Sequence, residues 1–320
     1  MKVLANDGIS ASGIAKLEAA GIIIHTEFIP QDQLISKINE IGYVGILVRS
    51  ATKVRQDIID ACPDLKFIGR GGVGMDNIDV QYGRDKGLDV FNTPAASSQS
   101  VAELVMAHLY SLARNTFDSN REMPAKGASE FKVLKKKYAK GSELRGKTLG
   151  IIGFGRIGKS TATYALGAGM KVLAHDRGSS DGAVQWNIEG AGVVNVNVPM
   201  VSFEEIISTS DFISIHVPKQ ENGSAVITKN EISQMKDGVC LINAARGGVI
   251  NEHDLIEALN TGKVKFAALD VFENEPTPRE DLLKHEKLAS TPHVGAATSE
   301  AQDRIGVELA DQILSILQPA

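Results

Sequence analysis

Residues 148–158 read Thr-Leu-Gly-Ile-Ile-Gly-Phe-Gly-Arg-Ile-Gly, a short apolar run that leads directly into three spaced glycines. The spacing of Gly153, Gly155 and Gly158 is typical of a dinucleotide-binding turn. The first glycine permits a tight turn, the second lets the backbone approach a pyrophosphate, and the third lets a helix pack on the strand. The stretch therefore predicts a strand, a phosphate-binding turn and a helix whose N-terminus attracts negative charge.

An acidic residue after the next apolar run supports this interpretation. Asp176 closes the run 171–175 and follows Gly158 at close to the ~20 residues expected for an acid that binds ribose hydroxyls. A carboxylate at this place would repel a 2′-phosphate, so the pattern favours NAD over NADP. A lone glycine pattern is weak evidence, but the strand before it and the acid after it make the combination specific.

Length and composition describe an ordinary globular chain with two domains. The chain has 320 residues, and 43% of them are hydrophobic, which is enough for packed cores. A net charge of −5 and a pI of about 5.9 argue against a nucleic-acid surface. The two cysteines, Cys62 and Cys240, are expected to be buried free thiols, and no metal site is predicted.

The N-terminal residues are not expected to form a targeting signal. Met-Lys-Val-Leu-Ala leads into a short strand-like run and lacks a signal-peptide pattern. No apolar run approaches the ~18 residues that are needed to cross a bilayer. The sequence therefore predicts a cytoplasmic protein whose partners are small molecules, neither nucleic acid nor membrane.

The long segment before Thr148 has an α/β pattern of its own. Short apolar runs alternate there with helix-like stretches; the runs are 3–5, 22–24, 44–48 and 67–68, and the helix-like stretches include 10–20 and 54–61. Such alternation predicts a parallel sheet with helices on both faces. The chain is therefore expected to hold two α/β units, with the cofactor unit inserted after the first.

Two polar stretches interrupt the regular pattern. An apolar helix is predicted at 101–114, and the basic segment 115–140 after it is expected to be an irregular, extended arm. The polar segment 178–199 is longer than a connection between a strand and a helix requires, and its pattern predicts no element. The last stretch, 299–317, is expected to form a long amphipathic helix.

Three titratable residues follow predicted strands in the second half. Arg246 follows the run 239–243, Glu275 follows 266–270, and His293 follows 288–290. Ligands of open α/β sheets bind beyond the carboxyl ends of the strands. A guanidinium binds a carboxylate through two hydrogen bonds, and a histidine beside a carboxylate exchanges protons near neutral pH. The three predict hydride transfer on a 2-oxo or 2-hydroxy acid.

A fourth strand end carries a histidine with a less specific signal. His216 ends the run 212–217 and is a candidate to line the cofactor site, although a lone histidine is more often structural. His175, His253 and His285 are interpreted as structural residues.

Beyond single motifs, the chain resembles the D-isomer-specific 2-hydroxyacid dehydrogenases over nearly its whole length. Besides the glycine turn, the shared motifs are 48–54 (Val-Arg-Ser-Ala-Thr-Lys-Val), 69–77 (Gly-Arg-Gly-Gly-Val-Gly-Met-Asp-Asn), 92–94, 146–150, 243–248, 268–272 and 292–296. The resemblance implies a Rossmann cofactor domain, residues 99–292, inserted into a flavodoxin-like substrate domain of residues 1–98 and 293–320. It also implies a homodimer through the cofactor domain, with the arm near 115–145 around the neighbour.

The resemblance implies a role for each candidate site residue. Arg246 would bind the substrate carboxylate, His293 would be the acid/base, and Glu275 would pair with His293. The implied NAD contacts are Gly153, Gly155, Arg156, Ile157, Gly158, Asp176, His216, Pro218, Ala244, Asp270 and Gly295. The implied substrate contacts are Arg49, Ser50, Lys53, Arg70, Gly71 and Gly72.

The substrate is the most open question. Arg49, Lys53 and Arg70 lie at or just after predicted strand ends, and such cations match the family members that oxidise 3-phosphoglycerate to 3-phosphohydroxypyruvate in serine biosynthesis. A glyoxylate or hydroxypyruvate reductase would not need them and is the alternative enzyme. A dinucleotide-sensing corepressor without turnover is a more remote alternative, which intact Arg246, Glu275 and His293 argue against. Longer members carry C-terminal regulatory domains; this chain ends after its last helix, so inhibition by serine at such a domain is not expected.

Overall fold

The computed structural model describes residues 1–220 and 222–317. It divides the chain into two compact units: unit 1 is Met1–Ser100 with Ala296–Ala320, and unit 2 is Val101–Gly295. Residues 318–320, which the predicted substrate domain included, lie outside the described residues. Residues 293–295 were predicted with the substrate domain, whereas the structure keeps them with unit 2, where buried Asp270 accepts the N–H groups of Val294 and Gly295.

Unit 1 is built on one parallel sheet. Its five strands are β1 (Lys2–Ala5), β2 (Ile23–His25), β3 (Tyr43–Val48), β4 (Phe67–Arg70) and β5 (Asp89–Asn92). Their spatial order is β2-β1-β3-β4-β5, which is the order of a flavodoxin-like sheet. All four pairs of neighbours are parallel.

Helices cover both faces of this sheet. They are α1 (Ala11–Ala19), α2 (Leu34–Ile41), α3 (Gln56–Ala61), α4 (Val80–Asp85) and, after unit 2, α12 (Ser299–Leu317), with a 3₁₀ turn at Gln31–Gln33. The apolar side of α12 buries Ile305, Leu309 and Ile313 against Val3 and Phe67 of the sheet. The last helix of the chain therefore completes the core of unit 1.

Two facing glycines let α12 cross α1 at close range. A Cβ on Gly13 of α1 would lie 2.6 Å from the carbonyl oxygen of Gly306 in α12. A Cβ on Gly306 would collide with the hydroxyl of Ser10. That hydroxyl caps α1 by accepting the N–H of Gly13. Neither helix can carry a larger residue here without moving apart.

Unit 2 is a second doubly wound parallel sheet. Its six strands are β6 (Thr148–Ile152), β7 (Lys171–His175), β10 (Phe212–Ile215), β11 (Val239–Asn243), β12 (Val264–Leu269) and β13 (Leu288–Ser290). Their order is β13-β12-β11-β10-β6-β7, and a single parallel bridge from Ala174 to Met200 continues the edge. The strand order reverses between β6 and β10, where such sheets bind ligands. The predicted fold class, two doubly wound α/β units, is confirmed.

The first two helices of unit 2 precede β6, and the others lie between its strands, as in a doubly wound sheet. The helices are α5 (Ser98–Arg114), α6 (Thr116–Tyr138), α7 (Arg156–Gly167), α8 (Phe203–Thr209), α9 (Lys229–Gln234), α10 (Glu252–Thr261) and α11 (Glu280–Leu283). Both cysteines are free and buried, as predicted, and burial raises the pKa of the Cys240 thiol to about 11. None of the described helices is long and apolar enough to span a membrane.

The prediction of an irregular arm at 115–140 is wrong. The segment is α6, with non-helical backbone at Glu130. The ammonium of Lys137 lies 2.9 Å from a carboxylate oxygen of Asp118, although 19 residues of straight helix would separate them by roughly 28 Å. The segment therefore folds back on itself. The helix was not predicted because it lacks a buried apolar face: Leu134 is its one buried residue among those described. Ion pairs between its side chains stabilise it.

The polar stretch 178–199 is a β-hairpin. Its strands, β8 (Ala183–Ile188) and β9 (Gly192–Asn197), pair in antiparallel register. Val184 is buried in the unit 2 core, and Trp186 contacts α7, where a Cβ on Gly167 would lie 2.7 Å from its ring. The alternation of Val184, Trp186 and Ile188 was the signal that the sequence prediction did not use.

We expect the helix crossing of unit 1 to be sensitive to one methyl group. Gly306→Ala should lower the free energy of unfolding by about 1–3 kcal/mol, because the new Cβ must displace the cap of α1. Gly127→Ala in α6 is the control, since its Cβ meets the flexible end of Met123. Denaturant unfolding of both variants and the parent is the measurement. Equal stability of the two variants would contradict the close crossing.

Candidate functional site

The glycine turn after β6 has the geometry that a dinucleotide needs. Gly153 has a φ of +93°, and a Cβ there would lie 2.6 Å from the carbonyl oxygen of His216. A Cβ on Gly158 would collide with the carbonyl of Gly153. These two glycines are therefore required by the fold itself, since the chain turns tightly and α7 packs directly on the turn.

No contact within the described part of the chain requires a glycine at position 155. Its φ of −75° is open to any residue, and a Cβ there would have no described atom within 4 Å. The position precedes the first N–H groups of α7, at Arg156, Ile157 and Gly158, which have no acceptor earlier in the helix. An open space in front of free helical N–H groups fits a bound pyrophosphate, so the residues present fit a dinucleotide.

Asp176 is tied to the glycine turn. One carboxylate oxygen accepts the N–H of Phe154 at 2.7 Å, and the other accepts the N–H of Gly178 at 2.8 Å. The side chain is half-buried at the end of β7. Each oxygen keeps a further lone pair, which leaves acceptor capacity for ribose hydroxyls beside the phosphate-binding turn.

His216 lies at the end of β10, against the turn at Gly153. Its Nε2 is 2.9 Å from the hydroxyl of Ser214, and its buried Nδ1 has no hydrogen-bond partner within the described chain. Burial lowers the pKa of His216 to about 4, so the ring is neutral at physiological pH. A buried polar atom without a protein partner next to the glycine turn fits a ligand at this edge. Pro218 follows and is exposed.

The loop after β11 presents Arg246. Buried Asn243 shapes the loop: its amide oxygen accepts the N–H of Ala245, and its amide nitrogen donates to the carbonyl of Arg246. The guanidinium of Arg246 is half-buried and donates to the carbonyl of Ala245 at 2.7 Å. Ala244 is half-buried in the same loop.

Glu275 and His293 form a hydrogen-bonded pair. Nδ1 of His293 is 2.7 Å from one oxygen of Glu275, and the other oxygen accepts the N–H of Phe272 at 2.9 Å. An ionised carboxylate only accepts, so the hydrogen lies on Nδ1 and Nε2 is left to exchange a proton. The His293 side chain is 47% exposed. The prediction that these two residues meet is therefore matched by the geometry.

Asp270 holds the backbone that carries His293. Its carboxylate accepts the hydroxyl of Thr291 and the N–H groups of Val294 and Gly295, at 2.6, 2.9 and 2.9 Å. His293 lies inside this turn with a φ of +54°, a strained conformation for a residue with a side chain. Asp270 is 1% exposed, so the three bonds are strong and fix the turn.

A buried histidine extends the Asp270 cluster, and sequence reasoning did not find it. Nε2 of His108, on α5, is 3.2 Å from the hydroxyl of Thr291. The hydroxyl of Thr291 donates its hydrogen to Asp270, so its oxygen must accept a hydrogen bond from Nε2 of His108. Burial lowers the pKa of His108, which favours the neutral form of the ring. The signal that could have found it was a histidine inside an apolar helix.

In unit 1, the loop after β3 is shaped by two polar side chains that the sequence prediction also missed. The carboxylate of Asp7 accepts the N–H of Arg49 at 2.6 Å and both the N–H and the hydroxyl of Thr52. The amide of Asn77 donates to the carbonyls of Arg49 and Thr52. The loop is therefore anchored through its backbone, and the side chain of Arg49 takes no part in anchoring it.

The neighbouring strand end brings Arg70 close to Arg49. Val48 and Arg70 are paired in register across β3 and β4. A Cβ on Gly72 would collide with the guanidinium of Arg70, and a Cβ on Gly71 would lie 3.6 Å from Cγ of Arg49. Both arginines are half-buried, whereas Ser50 and Lys53 are exposed on the loop between β3 and α3. The structure therefore groups the two arginines with Gly71 and Gly72.

We expect alanine substitutions at Gly155 and Gly158 to have different effects, the first on cofactor binding and the second on stability. Gly155→Ala should keep the parent Tm and weaken NAD binding by about 10-fold or more, because the new methyl enters the open space beside the turn. Gly158→Ala should lower Tm, because its methyl meets backbone. NAD titration and thermal unfolding are the measurements. Parent-like NAD affinity in Gly155→Ala would contradict a pyrophosphate at this place.

Comparison with known proteins places this geometry in a family. The family model described as D-isomer specific 2-hydroxyacid dehydrogenase, NAD binding domain, matches residues 106–295. The solved structure of the TT0316 protein from Thermus thermophilus is similar, with a TM-score of 0.84 and 27% identity, over 99% of this chain and 97% of that one.

Two curated relatives differ in their substrate. A hydroxypyruvate reductase from Thermotoga maritima is 43% identical over 92% of this chain and 90% of its own length. A D-3-phosphoglycerate dehydrogenase from Archaeoglobus fulgidus is 37% identical over 99% of this chain, which spans 57% of that longer protein. The predicted cofactor, NAD, is confirmed by the family match. The chain belongs to the D-isomer specific 2-hydroxyacid dehydrogenases, a family of NAD-dependent oxidoreductases.

Proposed function

We propose that the chain oxidises 3-phosphoglycerate to 3-phosphohydroxypyruvate with NAD. The observation that carries the proposal is the pair Arg49 and Arg70, at the ends of two neighbouring strands of unit 1. Arg70 is the last residue of β4, and Arg49 lies in the loop that Asp7 holds after β3. Guanidinium groups bind phosphate through two parallel hydrogen bonds. A phosphate group offers the acceptor oxygens that this pair of guanidinium groups can bind, and an unphosphorylated acid lacks that group.

The chemistry would be divided among three residues of unit 2. The guanidinium of Arg246 binds the substrate carboxylate and orients the C2 hydroxyl. Nε2 of His293 accepts the hydroxyl proton, and Glu275 stabilises the imidazolium that forms and fixes the ring through Nδ1. Bound NAD would supply the acceptor for the hydride that leaves C2.

The second candidate is reduction of hydroxypyruvate, which the similarity to the Thermotoga maritima reductase favours. Hydroxypyruvate and 3-phosphohydroxypyruvate share a three-carbon skeleton and differ by one phosphate. The same triad serves both reactions, so only the groups that meet the phosphate distinguish them.

We also propose that the chain forms a homodimer through α6. The second half of this helix carries Phe131 and Val133 at 57% and 61% exposure, and its first half carries Met123 at 42%. Exposed apolar side chains on a helix with one buried residue support the proposal that a second copy covers this surface. Light scattering after size exclusion is the measurement, and a Phe131→Glu, Val133→Glu variant should be monomeric.

Cofactor choice should depend on Asp176. The carboxylate binds ribose hydroxyls and repels a 2′-phosphate, so kcat/KM should be clearly higher with NAD than with NADP. Asp176→Ala should narrow this preference. Equal or higher kcat/KM with NADP in the parent would contradict the assignment.

The acid/base pair should be visible in the pH dependence of the rate. His293→Ala should lower kcat by roughly 10²–10⁴ with NAD affinity nearly unchanged. Glu275→Gln removes the negative charge beside the imidazolium, so the limb of the pH–rate profile that reports His293 should move to lower pH. A Glu275→Gln profile that overlays the parent profile would show that the pair does not act together.

The substrate is tested by comparing phosphorylated with unphosphorylated acids. Arg49→Ala or Arg70→Ala should lower kcat/KM for 3-phosphoglycerate by about 10- to 100-fold and change it little for glycerate or for hydroxypyruvate in the reverse direction. Lys284→Ala is the control, since it removes an exposed cation next to α11 that pairs with Glu280. If neither arginine changes the ratio of the two activities, the reductase is the better assignment.

A further inference from the structure

Two glutamates outside the proposed catalytic set join the loops that carry it. Glu252 is the first residue of α10, and Glu273 lies in the loop after β12. The backbone N–H of Glu252 donates to Oε1 of Glu273 at 3.0 Å, and the backbone N–H of Glu273 donates to Oε1 of Glu252 at 2.8 Å. These crossed bonds connect the segment that follows β11 to the segment that follows β12.

One carboxyl oxygen of Glu252 is buried at a cost to the fold. The residue is 3% exposed, and its Oε2 is buried without a hydrogen-bond partner in the described part of the chain. A buried carboxyl oxygen without a partner costs free energy. Burial, and to a smaller extent the charge of Glu273, raises the pKa of Glu252. The buried oxygen therefore lowers the stability of the fold. The crossed bonds with Glu273 point to a role of Glu252 other than stability.

The peptide between Phe272 and Glu273 is the point that the two segments share. A Cβ on Gly247 would collide with the carbonyl of Phe272, so the backbone next to Arg246 lies directly against this peptide. The N–H of Phe272 donates to Glu275, which holds His293. The N–H of Glu273 is the group that Glu252 holds. The backbone at Phe272 thus contacts Gly247, the neighbour of Arg246, and also holds Glu275 through a hydrogen bond.

We propose that Glu252 and Glu273 are positioning residues that set Arg246 and Glu275 in register with each other. The proposal rests on the proposed function, because it uses the substrate role of Arg246 and the acid/base role of Glu275 with His293. Neither glutamate needs to touch the substrate. A displacement of about 1 Å between groups that act on one substrate costs roughly 100-fold in rate.

The test compares alanine and glutamine at both positions in the full-length chain. Glu252→Ala and Glu273→Ala should lower kcat/KM by about 10- to 100-fold. Each should also move the pH–rate profile in the direction of Glu275→Gln, with NAD affinity unchanged. Glu252→Gln and Glu273→Gln keep a carbonyl oxygen as the acceptor and should stay within about threefold of the parent. Glu273 is exposed, so its alanine variant keeps the test valid if Glu252→Ala does not fold.

A third glutamate of unit 2 provides the matched control. Glu231 caps α9 by accepting the N–H and the hydroxyl of Thr228, at 2.9 and 2.6 Å. Glu231→Ala should lower Tm and leave kcat/KM and the pH–rate profile as in the parent. The proposal is overturned if Glu273→Ala behaves in the same way, or if the glutamine variants lose as much activity as the alanine variants.

The assay separates this proposal from the proposed function. It uses the 2-hydroxy acid that the parent oxidises fastest, so an error in the choice of 3-phosphoglycerate leaves the comparison intact. An error in the triad would appear first in His293→Ala and Arg246→Ala, as activity close to that of the parent. Parent-like activity in Glu273→Ala alone rejects the positioning pair and leaves the triad standing.

Discussion

Parallel strands bring their carboxyl ends to one edge of a sheet, and the proposed chemistry of unit 2 depends on this constraint. The glycine turn, His216, Arg246, Glu275 and His293 follow β6, β10, β11, β12 and β13, which are neighbours in that sheet. Residues as far apart in the chain as Gly153 and His293 thus lie at the same edge of one sheet. The loops need only short-range bonds, such as those of Asn243 and Asp270, to finish the arrangement.

Most strands and several helices could be predicted because each is a short apolar run or period bounded by polar turn residues. β11, β13 and α12 have the predicted bounds, since hydrophobic periodicity ends there abruptly. α6 was missed because ion pairs between Glu122, Lys126 and Lys137, not an apolar face, hold it together. The β8–β9 hairpin was missed because polar residues between its apolar ones weaken the alternating pattern in the sequence.

The candidate site divides along similar lines. Charged residues at strand ends were found because both their chemistry and their place after an apolar run are visible in the sequence. Asp7, His108 and Glu252 were not found, because they act through contacts with segments far away in the chain; Asp7 binds the backbone of Arg49, 42 residues away. Such contacts follow from the register of the folded sheet and leave no local pattern in the sequence.

The place of α12 in unit 1 has a consequence for how the chain is made. Unit 2 is one continuous segment, so all of its core residues have left the ribosome once Gly295 has emerged. Unit 1 begins at the first residue but needs Ile305, Leu309 and Ile313 to close its core. Because domains fold as units and synthesis adds about 5–20 residues per second, the N-terminal sheet waits roughly ten seconds or more beyond its own synthesis for its last helix. The first unit to be synthesised is therefore the last to be completed.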